Sequence, residues 1–501
     1  LYAEELNGTA FTVPRVRNQR SWLYRIKPSA VHERFVPVEH TKLTSSFGSA
    51  VLDPSQMRWF PQPLLAAVGE KKAAAKKGGA AAAAAAAAAE AVEVVDWIDG
   101  LTTMAGNGEP SVKAGLAIHL YGCNKSMVDT AMFNSDGDFL IVPQTGTLHI
   151  QTEMGFMDVA PKEIVVIPRG IRFRVAVDGP SRGYVLEVFG GHFQLPDLGP
   201  IGANGLANAR DFLYPVAAYE DRDVDYVIIN KFGGHLFSTI SHHSPFDVVA
   251  WHGTYAPFKY DLSKFNTMNS VSYDHPDPSI YTVLTVPTDT PGVALCDFVI
   301  FPPRFMVMDH SFRPPYYHRN TMTEFMGMVW GKYDAKVGFQ PGGCSLHSCM
   351  TSHGPDADTF IKASTAKLEP EFFGSGLAFM FETTLMLKLT KTAIDAPFRE
   401  VDYFKCWSNL PRVFDPAVRD VKAIVAKAGP KPGAEFGAGH GRVLGDGTAV
   451  ELAAAAAKRP ATSAAVAAHA EGGSTPSAAA APATDGAAAA AGGAGSKRKR
   501  N

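Results

Sequence analysis

Short apolar runs, each stopped after a few residues by proline, glycine, asparagine or aspartate, leave little room for long helices and force a chain into sheets. The runs Phe139-Leu140-Ile141-Val142-Pro143, Thr147–Thr152, Glu163–Pro168, Phe173–Val177 and Tyr184–Phe189 form one such series. A second consists of Tyr281–Val286, Phe298–Phe301 and Glu324–Trp330. Strands at this spacing, joined by tight turns, predict a β-barrel or sandwich. Helical periodicity is weak except from Asp356 to Thr365, and the fold class read from the pattern is mainly β.

Two segments fall outside any packed core. Residues 66–92 carry Lys71-Lys72-Ala73-Ala74-Ala75-Lys76-Lys77 and then the alanine run Ala80–Ala89. Without a strong apolar face they are expected to form a surface insertion. Residues 427–501 are rich in Ala, Gly, Ser, Thr and Pro and lack the large side chains that offset the entropy of ordering, so they are expected to be disordered. The tail ends in Lys497-Arg498-Lys499-Arg500. That tetrad fits a solubilising end, and also a short nuclear-import signal.

Charge and cysteine usage narrow the function classes. Lys plus Arg is 47 against 49 Asp plus Glu, a formal net charge of −2. A near-neutral body offers no electrostatic case for nucleic acid or an anionic membrane. No stretch approaches the ~20 strongly apolar residues of a spanning helix. Cys123, Cys296, Cys344, Cys349 and Cys406 are odd in number and sparse, which fits a reducing, cytoplasmic setting better than a disulfide scaffold.

The chemistry concentrates between His275 and His353. His318 and Glu324 are six residues apart. In a straight strand that is about 20 Å, and on a helix about 240° of rotation, so both reach one ion only if the chain bends between them. Asn320-Thr321 is suitable turn chemistry. His347 and His353 are also six apart, so one of them is expected to join His318 and Glu324, and Gly342-Gly343 would let the backbone come close to such a site. Two His and one Glu with open positions make the facial triad of non-haem Fe(II) oxygenases. Cys344-x-x-His347-x-Cys349-x-x-x-His353 offers zinc as a rival, and histidines merely packed or solvated are the third reading. Gly179-Pro180-Ser181-Arg182-Gly183 has the spacing of a hydrolase nucleophile elbow, but strands on both sides predict a hairpin turn instead.

These motifs also carry a resemblance. Phe312-Arg313-Pro314-Pro315-Tyr316-Tyr317-His318-Arg319-Asn320, Gly342-Gly343, Leu346-His347, His353-Gly354-Pro355-Asp356, Leu195–Asn208 and Arg20–Ile26 resemble the homogentisate 1,2-dioxygenase family from Leu1 to about Trp407. The resemblance implies a cupin-like (double-stranded β-helix) barrel in a catalytic domain over 266–426, behind a larger mainly-β N-terminal domain over 1–265, with the tail at 427–501. It implies Fe(II) held by His318, Glu324 and His353, with His347 behind them and His275 as proton acceptor. Tyr333 and His353 would contact substrate. The implied reaction joins homogentisate and O2 to give 4-maleylacetoacetate, in a homo-hexamer. A non-catalytic cupin-like or zinc-stabilised binding protein is the alternative.

Overall fold

A seven-stranded antiparallel sheet runs through the middle of the protein. Its strands lie in the order Phe258–Asp261, Glu163–Ile167, Asp138–Thr145, Ser181–Val188, Ala114–Cys123, Leu101–Glu109 and Lys388–Leu389. Successive side chains on a strand point to opposite faces, and here both faces are covered. Leu140, Val142, Ile164, Val166 and Leu186 face a core shared with Phe298, Phe325, Phe379 and Phe381. Phe139, Ile141, Val165, Ile167 and Val185 face a second core with Met132, Ile150, Phe173 and Val175. Burial on both faces accounts for runs such as Phe139–Val142, which are apolar throughout instead of alternating.

The outer layers are a second seven-stranded sheet, spanning strands from Val36–Val38 to His235–Ser241, and a six-stranded sheet. The six-stranded sheet has the order Thr282–Pro287, Ala294–Phe301, Gly376–Thr383, Thr323–Gly331, Cys344–His347 and Met57–Trp59. Met57–Trp59 comes from the first part of the chain and closes this edge by pairing with Cys344–Leu346. Reciprocally, Lys388–Leu389 pairs with Ala105 and Gly106 at the edge of the middle sheet. The expected strands are therefore present, and the helix is Ala357–Thr365, capped by Asp356, whose carboxylate accepts from Thr359 N–H at 2.8 Å.

This computed structural model describes residues 1–412, 414 and 417, except 41, 69–92, 198–204, 269–280, 307–315 and 368. The described residues fall in one compact unit. Most of the alanine insertion, the 427–501 tail and its basic tetrad lie outside them. Among the described residues no helix is long and apolar enough to cross a membrane. The Gly179–Gly183 turn is a correction: it joins Phe173–Val177 in the outer sheet to Ser181–Val188 in the middle one. Two strands in different sheets make a corner, not a hairpin, and Ser181 is buried there with its hydroxyl donating to the Gly179 carbonyl at 3.1 Å.

A polar network is buried within the first part of the chain. The Lys231 ammonium lies 2.8 Å from Glu187, 2.7 Å from Asp136 and 2.7 Å from the Ser45 hydroxyl. Glu187 also meets His119 Nε2 at 3.1 Å and accepts from the Asn134 amide at 2.7 Å. Burial pushes the Glu187 carboxyl up, but Lys231 and His119 outweigh it and hold the group at about 2, below its ordinary 4.5.

Two outcomes follow from the layering. Leu140→Ala, which opens a void between the middle and six-stranded sheets, should cost about 2–5 kcal/mol, read as a lowered urea midpoint. A loss below about 1 kcal/mol would mean that the core closes around the gap. Glu187 is depressed on folding, so its stabilisation is complete above pH 4.5 and is lost as pH falls toward about 2. Glu187→Gln should be less stable than the wild type at pH 7, and thermal melts at pH 3 should show that difference shrinking.

Candidate metal centre

Three side chains that are distant along the extended chain meet at the open end of the six-stranded sheet. His318 and His353 sit on two segments that form an isolated antiparallel bridge. The His318 N–H donates to the His353 carbonyl at 2.9 Å, and the His353 N–H returns to His318 at 3.1 Å. The rings are thereby held 4.2 Å apart, centroid to centroid. Glu324 enters from the strand Thr323–Gly331. The bend that the spacing requires is made by Asn320, whose side-chain oxygen accepts from Met322 N–H at 3.0 Å and whose carbonyl accepts from Met350 N–H at 2.7 Å.

The donor atoms converge. Glu324 Oε1 is 3.3 Å from His318 Nε2, and Oε2 is 3.0 Å from His353 Nε2. Among the described residues, His318, Glu324 and His353 are the group whose ligand atoms all lie within 4.8 Å of one another. Each ring directs its other nitrogen at a backbone carbonyl: His318 Nδ1 is 3.1 Å from Tyr316 O, and His353 Nδ1 is 2.9 Å from Thr351 O. A proton fixed on Nδ1 leaves the Nε2 lone pair free for a cation. Burial pushes the Glu324 carboxyl up, but the two imidazoles pull it well below the usual range, and its hydrogen bond to Glu324 raises His318. Two imidazoles and a carboxylate on one side of a point, with the other side open, fit a divalent transition metal.

The open side is a cavity of about 330 Å³, enough for a small aromatic molecule. Its walls include Phe301, Met326 and Met380 along with Arg304, Asn320 and Lys336. Tyr333 lines it as well, with its hydroxyl 3.9 Å from Met326 Sδ and its ring against Phe301 and Phe339. His347 lies outside the ligand group but directly behind it, stacked on His353 at 4.2 Å and 8°. Its Nε2 is 3.1 Å from both Lys336 Nζ and the Tyr403 hydroxyl.

Some sequence expectations land elsewhere. Gly342 and Gly343 do not approach the cavity. A Cβ on Gly342, at φ +92°, would stand 2.8 Å from the Arg182 guanidinium, and one on Gly343 would stand 2.9 Å from the Trp59 carbonyl, so these glycines serve the packing of the sheet edge. Cys344 is buried and Cys349 half-buried, and neither joins the ligand group. His275 lies outside the described residues. The pattern reading missed Lys336, Asn320 as a hydrogen-bond donor to Glu324 at 3.1 Å, and Tyr403. Each is a single residue in unremarkable local sequence, and only burial around the site marks it out.

Comparison with known proteins identifies the family. Residues 1–88 and 86–262 match the family model described as homogentisate 1,2-dioxygenase N-terminal, and residues 263–414 match its C-terminal counterpart. A curated homogentisate 1,2-dioxygenase from Dictyostelium discoideum is 55% identical over 413 residues, covering 82% of this chain and 89% of that protein. Among solved structures, a cupin superfamily protein from Desulfitobacterium hafniense aligns at 16% identity and TM-score 0.14, over 15% of this chain and 67% of its own. A structure described as the "putative glyoxylate induced protein" from Pseudomonas aeruginosa aligns at 8% identity and TM-score 0.27, over 60% of this chain and 86% of its own.

The geometry makes metal retention depend on the carboxylate and not on the thiols. Glu324→Ala should weaken metal binding by more than the roughly 10–100-fold typical of losing an outer partner, measured as bound metal after dialysis. Cys344→Ser with Cys349→Ser should leave metal content unchanged, and loss of metal from that double variant would reinstate a thiolate site.

Proposed function

The chain belongs to the homogentisate 1,2-dioxygenase family, and on that premise we propose that it cleaves the ring of homogentisate with O2 to give 4-maleylacetoacetate. Both oxygen atoms enter the product, so no external reductant is needed. The observation that carries this reading is the convergence of His318, Glu324 and His353 on the wall of an aromatic-sized cavity. We assign Fe(II) to these three residues. Bound there, Fe(II) would supply a redox-active Lewis acid.

The chain's own residues prepare that centre. The carbonyls of Tyr316 and Thr351 hold the two rings in place, so no reorganisation is needed when the site fills. Glu324 contributes the negative charge, and the Asn320 amide fixes one of its oxygens at 3.1 Å. His347, stacked on His353, keeps that ring from turning. The ring of Tyr333 and the face of His353 bound the space for the substrate ring. His275 is assigned as the group that accepts the phenolic proton, a role suited to an imidazole near neutral pH. The division into 1–265, 266–426 and 427–501, a homo-hexameric assembly and a cytoplasmic location belong to the same reading, and no nucleic acid or membrane partner does.

Oxygen uptake by the Fe(II)-loaded protein decides the matter. Uptake matched one-to-one to homogentisate, and absent with gentisate and catechol, is expected. Uptake with another diphenol alone would change the substrate, and none at all with bound iron would remove the reaction.

A further inference from the structure

Two carboxylates line the cavity among the described residues, and only Glu324 belongs to the ligand group. The other, Glu382, sits on the strand Gly376–Thr383, paired directly across the six-stranded sheet from Glu324 on Thr323–Gly331. The two side chains share a face with Met326 and Met380, a further cross-strand pair that lines the cavity. Phe325 and Phe381, between these pairs, turn to the core and stack at 6.3 Å. Like charges directly opposite each other on a sheet are destabilising, so this placement calls for a donor between them.

The donor is the Asn320 side chain. Its oxygen accepts from the Met322 N–H at 3.0 Å. A backbone N–H can only donate, so the amide has one orientation and its nitrogen faces the carboxylates. That nitrogen has two hydrogens, one for Glu324 Oε1 at 3.1 Å and one for Glu382 Oε1 at 2.5 Å. Three contacts therefore fix the plane of the amide, and Glu382 supplies one of them. Glu324 Oε1 is the oxygen held in this way, while Oε2 meets His353 Nε2 at 3.0 Å. Remove the Glu382 carboxylate and the amide is free to pivot about its remaining contacts, taking the Glu324 oxygen with it.

We propose that Glu382 is a positioning residue for the metal ligand Glu324, acting through the Asn320 amide. This rests on reading His318, Glu324 and His353 as metal ligands. The support comes from the sheet: Phe381, next to Glu382, is fully buried, so the carboxylate leaves a fixed backbone and transmits that fixity across the amide. Outer partners of this kind orient ligating carboxylates, and losing one typically weakens metal binding by about 10- to 100-fold.

The test is the Fe(II) affinity of the full-length protein, measured under nitrogen by competition with a chelator of known strength. E382A should weaken binding by roughly 10- to 100-fold. E382Q keeps an acceptor oxygen for the amide and should stay within about fivefold of the wild type, the margin between a charged and a neutral acceptor. N320S keeps a side-chain oxygen for the turn at Met322 but removes the two-armed donor, and should lose about as much as E382A. N320S combined with E382A should cost no more than the larger single loss, because both break one link. Losses that multiply would mean two independent structural effects and overturn the proposal. So would wild-type affinity in E382A, or a loss in E382Q equal to that in E382A, which would place the effect in charge alone. A wild type that binds no Fe(II) removes the metal centre and the proposal together. One that binds Fe(II) yet consumes no O2 with homogentisate removes only the reaction, with Glu382 still assigned by its variants.

Discussion

Burying one sheet on both faces is the constraint on which the rest of this protein depends. The middle sheet presents apolar side chains at most positions, and a polar group pointing either way, such as His119 or Glu187, has to bring a buried partner with it. Leu140 and Val142 anchor the six-stranded sheet to it, while Phe139 and Ile141 anchor the outer one. The metal-ligand strand Thr323–Gly331 packs through Phe325 into the first of these cores, so Glu324 leaves a rigid support and its carboxylate is placed by packing.

Rigidity of the supporting strand is only half of what the ligands need. His318 and His353 lie on segments outside the regular strands, and the pair of hydrogen bonds between their own main chains holds them together. A displacement of one segment therefore carries the other with it, so the two imidazoles keep their mutual geometry even where strand structure has ended. Edge exchange reinforces this: Met57–Trp59 completes the sheet beside Cys344–Leu346, and Arg58 carries a bidentate pair to Glu400 just ahead of the segment bearing Tyr403. The first part of the chain thus helps fix the wall behind His347.

The sequence discloses the strands, the single longer helix and the two-His-one-Glu set, because these follow from side-chain period and ligand reach. It also indicates that His318 and Glu324 need a bend, which Asn320 makes. Spacing alone could not choose between His347 and His353, since the same six-residue interval admits either. The choice comes from the main-chain bridge, a contact between residues 35 apart. Local pattern likewise places strands on both sides of Gly179–Gly183 but not in which sheet each lies, and it reads Gly342-Gly343 as a site feature when close packing on Arg182 and Trp59 is the cause.

Two buried lysines are accommodated by the fold in different ways. Lys231 is fully enclosed, and its donors meet Ser45, Asp136 and Glu187 within 2.8 Å, so the ammonium is both solvated and neutralised by the fold. Lys336 is nearly as buried but meets an imidazole and two aromatic faces. In water either ion would cost nothing to leave unpaired; inside a protein the unpaired one is destabilising. Among the described residues Lys336 has no carboxylate in ion-pair contact, and Glu324 and Asp356 act on it only from farther off, so the same kind of side chain is neutralised directly in one core and only at a distance beside the metal ligands.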